Sequence, residues 1–165
     1  MTLWGGVAAW MLAMTALGAD SDDSMVPQPH PRYSPQEVVR IQLGALSRND
    51  EPYPDAGIEI TYRFASPANR ATTGPLDRFA ALVRNPLYRD MINHRSADYG
   101  PVTVEDGWAQ IPVIVTARDG SRVGYVFMLS RQRGGLFDRC WMTDSVGQFR
   151  LREPRRGGSP GAIGV

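Results

Sequence analysis

The stretch Glu105 to Arg131, EDGWAQIPVIVTARDGSRVGYVFMLSR, decides the fold of this 165-residue chain. Asp106-Gly107 and Asp119-Gly120 bracket an alternating run, and Asp-Gly pairs favour tight hairpin turns because they reach positive φ at little cost. Within Trp108 to Ala117, Ala109, Ile111, Val113 and Val115 fall on one face, with Trp108, Pro112 and Ile114 on the other. In Arg122 to Arg131, Val123, Tyr125, Phe127 and Leu129 oppose Val126 and Met128. Gly134-Gly135 is a third break, so the pattern extends to Arg95–Glu105 before and Arg139–Phe149 after. Four runs joined by short turns predict an antiparallel four-stranded meander. Both faces are partly apolar, so the face away from the helices is expected to meet a second subunit, a ligand or the termini.

Upstream the period changes from two to 3.6. Ser34-Pro35-Gln36-Glu37 is a helix start, with a serine cap, proline at the first helical position and glutamate three residues after the cap. Val38, Ile41, Ala45 and Leu46 follow at helical spacing, and the polar Gln42 interrupts their stripe. The helix should stop near Asn49-Asp50, before Pro52 and Pro54. Ile58 to Phe64 alternates and fits a strand or a short helix. The helix is favoured because Ala65-Ser66-Pro67 stops it and helix restarts in the next turn. Gly74-Pro75-Leu76 opens another, in which Leu76, Phe79, Ala80, Leu82 and Val83 form the stripe expected to be buried, ending at Asn85-Pro86. Helices first and a meander after predict an α+β domain whose helices cover one face of a curved sheet.

The ends have a different character. Leu3 to Ala19 carries no charge and gives way to Asp20, Asp22 and Asp23, the pattern of a signal peptide over residues 1–19 cleaved near Ala19. The expected location is periplasmic or secreted. The alternative is a membrane anchor formed by the uncleaved segment; with the signal cleaved, no stable membrane span is expected. Residues 20–32 are acidic and then proline-punctuated, a disordered spacer, and 152–165 form a tail of similar composition. The folded unit should therefore run from Tyr33 to Leu151 as one domain, a reasonable size for a single core.

Composition removes several chemistries. All 18 basic residues are arginine, so Schiff-base catalysis and a lysine-bearing phosphate loop are excluded. A net charge of +1 gives no footprint for nucleic acid. One cysteine and two histidines make neither a disulfide framework nor a Cys/His zinc site, and no glycine-rich phosphate loop is present. No cofactor and no metal are expected.

Three blocks, Tyr33 to Leu43, Pro52 to Ile60 and Tyr62 to Arg70, carry a resemblance to the family catalogued as domain of unknown function 4864. Gly74-Pro75-Leu76, Met91 to Arg95 and Cys140 to Ser145 fit the same pattern, so the resemblance covers about Tyr33 to Val146. In layout the domain is also similar to the nuclear-transport-factor-2-like (cystatin-like) cone fold. That resemblance implies helices closing over a curved sheet around a pocket, in a superfamily that includes isomerases, cyclases, dehydratases and non-catalytic binders.

Six residues are candidates to contact a ligand in such a pocket: Tyr62, Asn69, Arg70, His94, Trp141 and Asp144. His94 either reaches the pocket mouth as an acid or base, or caps a helix end by hydrogen bonding, which is the expectation. Asp144 on an apolar strand suits a buried general base, an arginine partner or a solvent-facing site. Isomerase chemistry would pair Asp144 with His94 or a tyrosine, and Tyr62, Tyr88, Tyr99 and Tyr125 are available. Asn69-Arg70 either presents a fork of donors to a carboxylate or phosphate, or holds a loop against the helix beneath it. Cys140 is expected to be a buried free thiol, and Trp108 and Trp141 to be packing residues. The first functional expectation is an exported, non-catalytic module that binds a small molecule or a protein. The alternatives are a cofactor-free lyase or isomerase and a structural subunit that forms a homodimer through the open sheet face.

Overall fold

A computed structural model describes residues 26–151; the expected leader, the start of the spacer and the tail from 152 lie outside the described residues. Four helices come first: α1 Pro35–Leu46, α2 Ala56–Arg63, α3 Pro67–Thr73 and α4 Leu76–Val83. The capping box of α1 is formed in both directions. Glu37 N donates to Ser34 Oγ at 3.2 Å, and Ser34 N donates to Glu37 Oε2 at 2.7 Å, which holds the Glu37 carboxyl below its usual range. The inward face of α1 is Val38, Val39, Gln42, Leu43 and Leu46. In α4, Phe79, Ala80 and Val83 are buried while Leu76 is exposed, because the helix packs by its second and later turns only.

The Asn49-Asp50 stop is a hub of hydrogen bonds. Buried Asn49 accepts from Ile58 N at 3.0 Å and donates to Asp50 and Asp55, while its own N–H donates to Asn93 Oδ1. Gly57 sits where α2 crosses α1, and a Cβ there would lie 2.3 Å from Ala45 O, so only glycine permits this approach.

The sheet has five strands and is not closed: β1 Ser96–Tyr99, β2 Thr103–Glu105, β3 Trp108–Thr116, β4 Arg122–Arg131 and β5 Trp141–Phe149. The first of the four expected runs is thus two strands, both paired antiparallel with β3. Pro101 lies at the break and has no N–H for the ladder; the register moves from Tyr99↔Val113 to Thr103↔Gln110, one residue more on the first strand than on β3. The remaining order, β3-β4-β5, is the meander expected from the turns.

Ala109, Ile111, Val113, Val115, Tyr125, Phe127 and Leu129 form the inner face and share one core with α1, α2 and α4. The outer face keeps Trp108 57% exposed and leaves Ile114, Val126 and Met128 half-buried. Phe149 lies over Gly124 on that face, where a Cβ would be 2.5 Å from its ring. Among the described residues no helix is long and apolar enough to cross a membrane.

Candidate functional site

The last strand is irregular where the helices meet it. Leu129 pairs with Thr143 but Met128 pairs with Ser145, so Asp144 is an extra residue in β5. A β-bulge of this kind breaks the alternation and re-aims side chains. Here it sends the adjacent Thr143 and Asp144 to one cavity.

That cavity has a volume of about 510 Å³ and lies between the helical layer and the sheet. Leu46 of α1, Phe79, Leu82 and Val83 of α4, Met91, Phe127 of β4 and Val146 of β5 give it an apolar lining. Ala68, Asn69, Thr72 and Thr73 of α3 form another wall, with Ala68 and Thr72 exposed at the surface. The polar part is built from α1 and β5. Thr143 Oγ1 donates to Gln42 Oε1 at 2.8 Å, and Gln42 Nε2 donates to Thr61 O at 3.2 Å, so the interruption of the α1 stripe is a fully buried amide bridging two other elements. Thr143 also exchanges main-chain bonds with the α2–α3 junction, donating to Phe64 O and accepting from Ser66 N. Asn69 Nδ2 donates to the same Thr143 carbonyl at 3.0 Å. Oδ2 of Asp144 is buried, and no donor among the described residues reaches it.

Of the six residues expected to contact a ligand, Asn69 and Asp144 line this cavity. Tyr62 is engaged beside it: its hydroxyl donates to Gly74 O at 3.2 Å, and its ring lies 5.2 Å from that of Phe79. The Arg70 fork closes on protein carbonyls, donating to Ala65 O at 3.0 Å and Arg63 O at 2.7 Å, with the guanidinium over the Tyr62 ring. His94 is buried, and its Nδ1 lies 2.8 Å from Met91 O; because a carbonyl only accepts, Nδ1 carries the proton. Burial holds the His94 pKa below its ordinary value. Trp141, the first residue of β5, packs against the core opposite Arg131 and does not line the cavity. Cys140 is a buried free thiol whose pKa is raised by burial. Among the described residues no group of three or more Cys, His, Asp and Glu side chains is placed to hold a metal ion.

The tyrosines offered as proton donors are also committed. Tyr88 donates to Val146 O at 3.1 Å and Tyr125 to Leu87 O at 3.1 Å; burial pushes the Tyr125 phenol up to about 12. Burial also raises Tyr99, over whose ring the Arg40 guanidinium sits. Gln42, Thr143 and, on α3, Ala68, Thr72 and Thr73 are cavity residues that sequence reasoning missed as site residues, and the polar interruption at Gln42 was the available signal.

The sequence model of one family, described as a domain of unknown function (DUF4864), matches residues 32–154. No curated protein and no solved structure matches the chain.

Proposed function

The chain belongs to the DUF4864 family, and from that premise we propose that it is a non-catalytic binding module that receives a small, mainly apolar molecule between its helices and its sheet. The observation that carries this reading is the cavity itself, about 510 Å³ with a largely apolar wall and a few placed polar groups, the usual make-up of a small-molecule site. Helices on one side of an open, twisted sheet with a cavity between them also support a layout similar to the nuclear-transport-factor-2-like cone. Binding is favoured over lyase or isomerase chemistry because, among the described residues, Asp144 has no proton-transfer companion at the cavity. His94 does not line it, and the Tyr62 and Tyr88 hydroxyls donate to main-chain carbonyls.

The test is fluorescence titration with the neutral probe N-phenyl-1-naphthylamine. Saturable binding is expected, with loss in Ala68→Trp, which fills the cavity from an exposed position on α3. Absence of saturable binding, or binding indifferent to that substitution in a folded variant, would overturn the reading. Export belongs to the same proposal and is supported by the uncharged apolar start before Asp20; N-terminal sequencing from the producing cell should begin near Ala19 or Asp20.

A further inference from the structure

We infer that the ligand of this cavity carries a cationic amine on an apolar body, with the amine donating to Asp144; this rests on the binding reading above and specifies its ligand class. The hydroxyls of Thr61, Thr72, Thr73, Tyr88 and Thr143 all line the cavity, and each donates to an oxygen of the protein: Gly57 O, Ala68 O, Asn69 O, Val146 O and Gln42 Oε1 respectively. The Asn69 and Gln42 amides donate to Thr143 O and Thr61 O. Apart from the exposed Ser145, the wall thus turns its hydroxyl protons toward the protein, and it offers the interior an unsatisfied acceptor, Asp144 Oδ2.

Charge points the same way. Among the described residues, Asp144 is the lining residue with a formal charge, and no arginine lines the cavity. Arg70, the cation of the neighbouring helix, is held by two carbonyls and an aromatic ring. An anionic head would face a carboxylate with no counter-charge in the wall, whereas an ammonium supplies both the missing donor and the opposite charge. The desolvation of Oδ2 is already carried by the folded state, so a ligand that donates to it recovers an interaction instead of adding a new burial cost. The bulge fixes the geometry: Asp144 reaches the cavity only because β5 holds one residue more than β4 requires.

Three probes with the same body separate the outcomes: 1-aminoadamantane, 1-adamantanol and adamantane-1-carboxylate, titrated calorimetrically into the full chain at neutral pH. The amine should bind about tenfold or more tighter than the alcohol, as a hydrogen bond to a charged group warrants, and the carboxylate weakest of all. In Asp144→Asn the advantage of the amine over the alcohol should vanish, both being measured on the same folded variant. Asp144→Ser serves if the first variant fails to fold, and the wild-type ranking decides independently of either. An amine no tighter than the alcohol, or an advantage that survives in a folded Asp144 variant, overturns the inference and leaves apolar binding standing. If neither these probes nor N-phenyl-1-naphthylamine bind, both readings fail.

Discussion

The Thr143 hydroxyl donates to Gln42 Oε1 across 101 positions of sequence, tying the first helix to the last strand inside the protein. Gln42→Leu would leave that buried hydroxyl without its acceptor and take one of two donors from Thr61 O, which keeps Phe64 N, and should cost about 1–3 kcal/mol in urea unfolding. Thr143→Val should cost a similar amount. The double variant should lose less than the sum, because removing both partners leaves fewer orphaned groups. Strict additivity would show that the two side chains do not act as a pair.

Arg70 is held by the protein itself and should act on the fold rather than on a ligand. Arg70→Met removes two hydrogen bonds to the carbonyls at the end of α2 and the stacking over Tyr62, and stability should fall by about 1–2 kcal/mol. Arg70→Lys should recover little, since an ammonium cannot reproduce the fork. Binding of N-phenyl-1-naphthylamine to either folded variant should change by less than about twofold. A selective loss of affinity would return Arg70 to the site.

His94 sets the first acid response of the protein. Its folded pKa is depressed below the ordinary 6.5, so on acidification the unfolded chain takes up this proton before the native state does. Stability conferred by neutral His94 is therefore complete above pH 6.5 and is lost below it, toward the depressed folded pKa, with a slope of at most about 1.4 kcal/mol per pH unit. Glu37, Asp50, Glu59 and Asp119 also have lowered values, but their contributions fade only below the ordinary 4.5 and 3.8. His94→Gln should flatten the dependence of the urea midpoint on pH just below pH 6.5. An unchanged slope in the variant would assign that window to another group.

The outer sheet face should pair two copies of the chain. Trp108, Ile114, Val126, Met128 and Phe149 supply the apolar surface, with the exposed Asp98–Arg122 ion pair beside it. Sedimentation at high micromolar concentration should show a dimer in the wild type and a monomer in Ile114→Arg. A wild type that stays monomeric would rule this contact out.

The elements were legible where local chemistry and period agree. Ser34 and Glu37 announce their helix because the cap is a local bond, and Ala109, Ile111, Val113 and Val115 announce their face because strand alternation is local too. Gly100-Pro101 carried a break signal that the longer alternation masked, so one expected strand is two. The cavity was less legible. Asn69 and Asp144 are both in it, but what places Asp144 there is pairing with Met128 and Leu129, a register that no single segment contains. The same limit applies to His94 and Arg70, whose chemistry suits a site but whose partners, Met91 O and the end of α2, depend on how the chain closes.

The bulge at Asp144 also governs what changes the strand can survive. Asp144 is the residue in excess, so deleting it would leave Thr143 opposite Leu129, Ser145 opposite Met128 and Val146 opposite Phe127 in a regular ladder, with Val146 still facing the interior. The acidic position is therefore separable from the hydrophobic packing beyond it. A substitution can alter the carboxylate alone, and a one-residue shortening at the bulge can remove it while inside and outside are kept along the rest of β5.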